Sequence, residues 1–351
     1  MKNEIKALFI GGAGHSGTTM LSNIFASHQA SLKVHGESRV SDSYHLLIKT
    51  YKNLSDNEKR LKYLEKHTFY GVTFKKQSYQ YGKKIANPYI DILEANELSG
   101  DFDKDYHTLI REALKKKSLK FFIEKTPSNV FHADEIFQLI PEAKLLIIHR
   151  DVRDVVASLK KRYINLLENP DIYKHNLTTK KLDKDYNLMM DALMWQKAVQ
   201  ASQRALAKFG SDNVRILRYE SFVSSPQEST QEICEWLGVD FQDQMLDLKA
   251  RNSADQSLKK QKGISRSSIG NYNRVLNNEE IAVIEKYAAK GMHHLGIKRH
   301  VTGHKINSFK KIKYELQSYG KIIDRIRKRL TLMQPEYAWS FSKRVFKKLI
   351  S

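Results

Sequence analysis

The chain has 351 residues, 60 of them Lys or Arg and 39 Asp or Glu, for a formal net charge of +21; 41% are hydrophobic and 28% charged. That is the make-up of a globular protein with room for one large domain or two small ones. The single cysteine, Cys234, excludes a disulfide framework and a thiolate metal site and suits a reducing compartment. The longest apolar runs, such as 145–148, are far short of a membrane span.

The opening residues, MKNEIKALFIGG, run almost directly into a strand, without the layout of a signal peptide, so a cytoplasmic location is expected. Residues 5–30 read as the strand KALFI, the glycine loop GGAGHSGTT and the helix MLSNIFASH. Residues 38–120 read as helical and charged, with the tyrosine-rich stretch YGVTFKKQSYQYGKK as a loop. From 121 the alternation resumes: the strand FFIE, a helix near 129–140, the strand AKLLIIH and a helix from Asp151. Then come a helix over 191–209, the strand NVRILRY and a helix over 227–237. Short apolar strands alternating with helices predict an α/β protein with a parallel, doubly wound sheet.

About half of the surplus charge lies in residues 301–351, where 13 Lys or Arg face Glu315, Asp324 and Glu336. Two amphipathic helices are expected there. One carries Ile322, Ile323, Ile326 and Leu330 among basic residues, and the other Trp339, Val345, Phe346, Leu349 and Ile350. A basic amphipathic end with Trp and Phe is a candidate for peripheral contact with an anionic membrane, on its inner face. Helices packed on the body with a solvated basic face are the plainer alternative.

The first chemical signal is Gly12-Ala13-Gly14-His15-Ser16-Gly17-Thr18-Thr19, between an apolar strand and an amphipathic helix. Glycines there let successive N–H groups and the helix N-terminus face a phosphate. The spacing from Gly12 to Gly17 matches the start of the nucleotide P-loop, but Thr18 stands where that motif requires lysine. An ordinary ATPase or kinase is therefore disfavoured, and a tight packing turn is the bland alternative. The second signal is Arg150, at the C-terminal end of a strand where open α/β sheets bind ligands. Ser158 follows about two helical turns on, so the two converge on one phosphate. The same stretch also admits a surface ion-pair network among Arg150, Asp151, Arg153 and Asp154.

Together GAGHSGTTML, EKTPSN, HRDVRDVVASL and RYESFVSSPQESTQEICEWLGV resemble PAPS-dependent sulfotransferases, most closely the branch of tyrosylprotein sulfotransferases and their bacterial relatives. The resemblance covers roughly residues 5–40 and 120–295. It implies a P-loop-like single α/β domain over 1–300, its central parallel sheet flanked by helices, with 41–119 as a helical insertion near the acceptor. The basic helical extension 301–351 lies outside it.

The resemblance implies 3′-phosphoadenosine 5′-phosphosulfate (PAPS) as co-substrate; His293-His294 and the scattered histidines lack metal-ligand spacing with acids, so no metal is expected. It places Gly14, His15, Ser16, Gly17, Thr18 and Thr19 on the 5′-phosphosulfate, Arg150 and Ser158 on the 3′-phosphate with Arg162 nearby, and Tyr219 beside the nucleotide. Lys125 matches a lysine near the transferring sulfuryl group. Glu37 matches the glutamate that takes the acceptor proton, one residue farther from the loop than in that branch. The segment GISRSSIGNYNRVLNNEEI resembles a closing loop, with Ser265 near the sulfuryl group and Ser268 and Arg274 on phosphates. Such transfer needs in-line positioning, donors for developing charge and a base within reach of the acceptor hydroxyl.

His15 stands where the family carries Lys or Arg, and three roles are open: a protonated donor, which is favoured, a bystander to Lys125, or the base itself. For Glu37 the plain alternative is a surface pair with Arg39. Trp195, Trp236 and Cys234 are expected in the core. The acceptor is expected to be a hydroxyl or amine of a glycan or lipid-linked saccharide, with lipid and peptide hydroxyls as alternatives. Two other classes remain: a kinase-like phosphotransferase using ATP, and a non-catalytic basic protein binding membrane or nucleic acid, the last of which is not an expected partner.

Overall fold

Five parallel strands form one sheet in the order β2-β3-β1-β4-β5. They are β1 (Lys6–Gly12), β2 (Ser31–Lys33), β3 (Phe121–Lys125), β4 (Lys144–His149) and β5 (Val214–Arg218). This computed structural model describes residues 5–34, 36–69, 98–168, 186–247 and 264–300, together with positions 312, 315, 316, 320 and 327. β1 and β3 pair with Leu8 opposite Ile123, and β1 and β4 with Ile10 opposite Leu146. The inner strands are buried on both faces, which is why β1, β3 and β4 read as near-continuous apolar runs.

One sheet face carries Ala7, Phe9, Phe122, Leu145 and Ile147 and is covered by helices. These are α2 (Val40–Lys52), α3 (Asn57–Phe69), α4 (Phe102–Lys116), α5 (Ala133–Leu139) and part of α7 (Leu188–Phe209). The other face carries Leu8, Ile10, Phe121, Ile123, Leu146 and Ile148. It packs on α1 (Thr18–Ala26), α8 (Tyr219–Ser224) and α9 (Pro226–Leu237). A third cluster joins α6 (Val152–Glu168) and α7 to α10 (Tyr272–Val275), α11 (Asn278–Tyr287) and α12 (Ala289–His294). Local signals set the boundaries. Asp101 caps α4 by accepting from Asp103 and Lys104 N–H, and Asn277 with Glu280 forms a capping box on α11.

The expected α/β architecture is present, and α2, α3 and α4 supply the helical insertion. The tyrosine-rich stretch, 70–84, lies outside the described residues, as do both expected C-terminal helices apart from Arg327. Ahead of them Glu315 accepts a hydrogen bond from the Tyr287 hydroxyl. Cys234 and Trp195 are buried as expected. Trp236 is a correction: it is only half-buried. Its ring lies between the Lys144 and Arg215 cations, at 5.5 and 5.1 Å, and its N–H donates to the Asp212 carbonyl at 2.8 Å. An aromatic with a polar handle is satisfied there, at a wet edge.

The chain leaves β1 toward β2 and leaves β4 toward β5, so the loops after these adjacent strands diverge. A crevice opens at their C-terminal ends, where open α/β sheets take ligands.

Candidate active site

The glycine loop follows β1. Gly12 lies so close to β4 that a Cβ would stand 2.3 Å from the Ile148 carbonyl oxygen, and at Gly17, φ 102°, a Cβ would stand 2.8 Å from the Tyr219 ring. No larger residue fits either place. Between them His15 adopts a left-handed φ of 64°. The loop delivers the chain into α1, which starts with no side-chain cap and no acidic residue in its first turn. Its leading N–H groups and positive dipole end are therefore unspent, the arrangement that receives an anion. Ser16 is fully buried and its Oγ has no partner, so the loop also aims an unsatisfied hydroxyl inward.

The opposite wall comes from β4 and α6. Arg150 follows the strand; its guanidinium donates to the Ser268 carbonyl, lies 3.7 Å from Asp154 and stacks 4.9 Å over the Tyr219 ring. Its Nε is buried without a partner. Ser158, two turns along α6, meets His15 Nδ1 at 2.9 Å. Burial, reinforced by the charges of Arg162 and then Arg150, pushes the His15 pKa down to about 4. The standing imidazolium favoured from sequence is thus absent in the free protein: near neutral pH the ring donates or accepts as neutral imidazole.

The third element is the end of β3. Lys125 Nζ donates to Glu37 Oε1 at 2.9 Å, and Glu37 Oε2 is 3.4 Å from Arg39. The plain Arg39 pair is therefore present, and Glu37 meets Lys125 as well. Arg39 turns the chain into α2 with a left-handed φ of 56°, a conformation that costs about 1–2 kcal/mol in a non-glycine residue. Behind this pair Glu124 is fully buried and surrounded by donors, as detailed below. Lys33, at the end of β2, donates to Asn23 Oδ1 at 2.8 Å; burial and then Lys125 push its pKa down to about 8.

The segment after residue 264 folds over Arg150. Asp154 accepts from the N–H groups of Gly270 and Tyr272, both at 2.9 Å. Arg153, held by Asp151 and Glu285, stacks on the Tyr272 ring at 4.6 Å. The ion pairs of the alternative reading are thus present but largely buried instead of lying on the surface, and Asp154 and Arg153 hold the segment against Arg150. Among the described residues Ser265 bonds only within its own turn, to Ser267, and Arg274 is exposed with its guanidinium on Asn271 Oδ1. The structure therefore joins Gly17 to Tyr219, His15 to Ser158 with Arg150 and Arg162 alongside, Arg150 to Ser268, and Lys125 to Glu37. It brings neither Ser265 nor Arg274 into direct contact with them.

Lys33 and Glu124 escaped the sequence reading. For Glu124 a signal existed: an acid inside the apolar strand FFIEK, where a charge is tolerated only when fully partnered. Among the described residues no group of three His, Cys, Asp or Glu is placed to hold a metal ion, and no helix is long and apolar enough to cross a membrane.

The model of the sulfotransferase family matches residues 7–243. A curated relative, protein-tyrosine sulfotransferase 2 of Gallus gallus, is 22% identical over 246 residues, 69% of this chain and 54% of that protein. The chain thus spans about half the length of the curated relative it matches. Among solved structures, the sulfotransferase domain from the curacin biosynthetic pathway aligns with a TM-score of 0.50 and 16% identity, over 83% of this chain and 97% of that one. The sulfotransferase domain of the Synechococcus PCC 7002 olefin synthase aligns with a TM-score of 0.45 and 18% identity, over 80% and 94%. The family match runs from β1 past α9, through the glycine loop, Lys125, and the Arg150 and Ser158 wall, and on it the chain belongs to the sulfotransferase family.

Proposed function

We propose that the protein moves the sulfuryl group of PAPS to an acceptor hydroxyl or amine. The observation that carries this reading is the pair of anion-binding walls across the β1–β4 crevice: the uncapped start of α1 on one side, Arg150, Ser158 and Arg162 on the other. A nucleotide with phosphates on both its 5′ and 3′ positions fits two such walls. The unpartnered Ser16 Oγ and Arg150 Nε match that need for donors. ATP carries its phosphates on one side only, and the lysine that would serve them is replaced by Thr18.

In this reading the N–H groups of Gly14 to Thr19 and the hydroxyls of Ser16, Thr18 and Thr19 hold the 5′ side. Arg150, Ser158 and Arg162 hold the 3′-phosphate, with Ser268 and Arg274 from the covering segment, and Tyr219 flanks the nucleotide. PAPS supplies a sulfuryl group activated by its link to phosphate. Glu37 takes the proton of the acceptor hydroxyl as its oxygen bonds to sulfur. Lys125 and Ser265 donate to the sulfuryl oxygens, and the α1 N-terminus with the His15 N–H donates to the phosphate oxygen that receives the electron pair. None of these steps uses a metal.

α2 starts three residues after Glu37 and packs against α3 and α4, and this group of insertion helices shapes the acceptor side. A glycan or lipid-linked saccharide is the proposed acceptor, in a cytoplasmic enzyme whose basic 301–351 segment contacts the inner face of the membrane. Calorimetry with adenosine 3′,5′-bisphosphate, ATP and a DNA duplex tests the donor half: the bisphosphate should bind well above ATP. ATP binding as tightly, or only salt-sensitive DNA binding, would refute it. Radiolabelled PAPS offered to oligosaccharides, lipid extracts and tyrosine peptides tests the acceptor half, and transfer to peptide tyrosine alone would overturn the glycan reading.

A further inference from the structure

We propose that Glu124 is a positioning residue for the transfer step: it fixes Glu37 against Lys125 by gripping the segment that carries Glu37. The inference rests on the reading of Glu37 as the base.

Glu124 and Lys125 are consecutive in β3, so their side chains leave opposite faces of the sheet. Glu37 and Ser38 are consecutive in the segment that crosses the end of that strand. Glu37 meets Lys125 on one face at 2.9 Å. On the other, Ser38 N–H and Oγ donate to Glu124 Oε1 at 3.2 and 2.8 Å. Two neighbours thus clasp two neighbours, and the segment straddles the strand end.

The clasp is tied on three sides. Thr126 Oγ1 donates to Glu124 Oε1 at 2.6 Å and accepts from Arg39 N–H at 3.3 Å, which holds the left-handed residue beyond Glu37. Asn129 Nδ2 donates to Glu124 Oε2 at 2.6 Å and to the Ile10 carbonyl of β1 at 3.2 Å. Asn129 Oδ1 accepts from Ser41 Oγ at 2.7 Å, in the first turn of α2. Every group on the carboxylate donates, so an acceptor-only side chain is required there. A buried carboxylate serves packing no better than an apolar residue of similar volume. What it accomplishes here is orientation, linking the base, the lysine and the strand that launches the glycine loop.

Glu124→Gln presents an amide donor to a shell of donors and loosens the clasp. Thr126→Val leaves the acid in place but removes the hydroxyl that joins it to Arg39 N–H, and Thr126→Ser restores that hydroxyl. Each protein is tested for affinity to adenosine 3′,5′-bisphosphate, for PAPS hydrolysis with water in the acceptor's place, and for the Glu37–Lys125 distance in crystals with the bisphosphate. Bisphosphate affinity should stay within about twofold. Turnover should fall roughly 10- to 100-fold in the Gln and Val variants, as for a misplacement of about 1 Å, its acid pH limb should move, and Ser should recover it. In the Val crystals Glu37 and Lys125 should part beyond the roughly 4 Å of an ion pair. An intact contact with an unmoved pH limb in the Val variant overturns the inference even if stability drops, and the contact alone decides if hydrolysis is too slow to follow. Glu37→Gln separates the two ideas: unchanged turnover there sinks the base reading, whatever the clasp does.

Discussion

Replacing Arg150 by Leu should remove nucleotide affinity only through the 3′-phosphate. The guanidinium is already desolvated, its side chain 9% exposed, and is aimed by the Ser268 carbonyl and the Tyr219 ring. Little reorganisation is therefore left for the ligand to drive. A charge-assisted hydrogen bond from such a group contributes about 1.5–3 kcal/mol, which is roughly a 10- to 150-fold change in dissociation constant. The assay is a cycle over ligand and protein: calorimetry of adenosine 3′,5′-bisphosphate and of adenosine 5′-monophosphate, each with wild type and Arg150→Leu, at fixed moderate salt. Wild type should prefer the bisphosphate by that factor. The variant should lose the preference while binding the monophosphate within about twofold of wild type. Equal losses for both ligands would show that Arg150 only holds the covering segment, and a preference surviving in the variant would place the 3′-phosphate elsewhere.

His15 lies between two arginines and is neutral when free, so an anionic ligand should raise its pKa; bisphosphate binding near pH 6 should take up a proton, seen as heats that vary with buffer ionisation enthalpy, and His15→Ala should abolish that uptake while losing most turnover. Gly17→Ala forces a methyl group to 2.8 Å from the Tyr219 ring at φ 102°, and bisphosphate affinity should fall at least about tenfold; unchanged affinity would mean the loop is not the phosphate site. His149 is fully buried, with Nε2 at 2.9 Å from Ser202 Oγ and Nδ1 unpartnered, and burial followed by Arg218 pushes its pKa down to about 3. Its stabilising contribution is complete above the unfolded value near 6.5 and is lost as pH falls toward 3, up to about 5 kcal/mol. His149→Gln should flatten denaturant stability between pH 6.5 and 4.5, and an unchanged slope would refute the assignment.

The strands β1, β3 and β4 were legible because burial on both faces forces apolar runs, β5 because VRILR is rich in strand-forming apolar residues although mostly half-buried, and their helices because one face of each is apolar. β2 was not: three residues, Ser31 to Lys33, carry no period. In the site, glycines and arginines announced themselves through spacing, whereas Glu124, Thr126 and Asn129 did not. Their meaning lies in mutual hydrogen bonds between segments some 86 to 119 residues apart, and pattern along the chain does not report such pairings. The neutral state of His15 in the free protein was illegible for the same reason, since its burial, and then the approach of Arg162, arise only through the fold. Trp236 followed a helical period yet packs at an edge, because period assigns a face and not a depth.

The brevity of β2 has a consequence for how this chain tolerates length changes. A strand advances about 3.3 Å per residue and turns alternate side chains to opposite faces. One residue inserted between Ser31 and Lys33 would move Glu37 by more than its 2.9 Å contact with Lys125, or turn it from the lysine face to the acid face. Within this chain the edge strand works as a ruler between the phosphate loop and the base, its setting fixed by the register of Ser31 to Lys33 on Phe121 to Ile123.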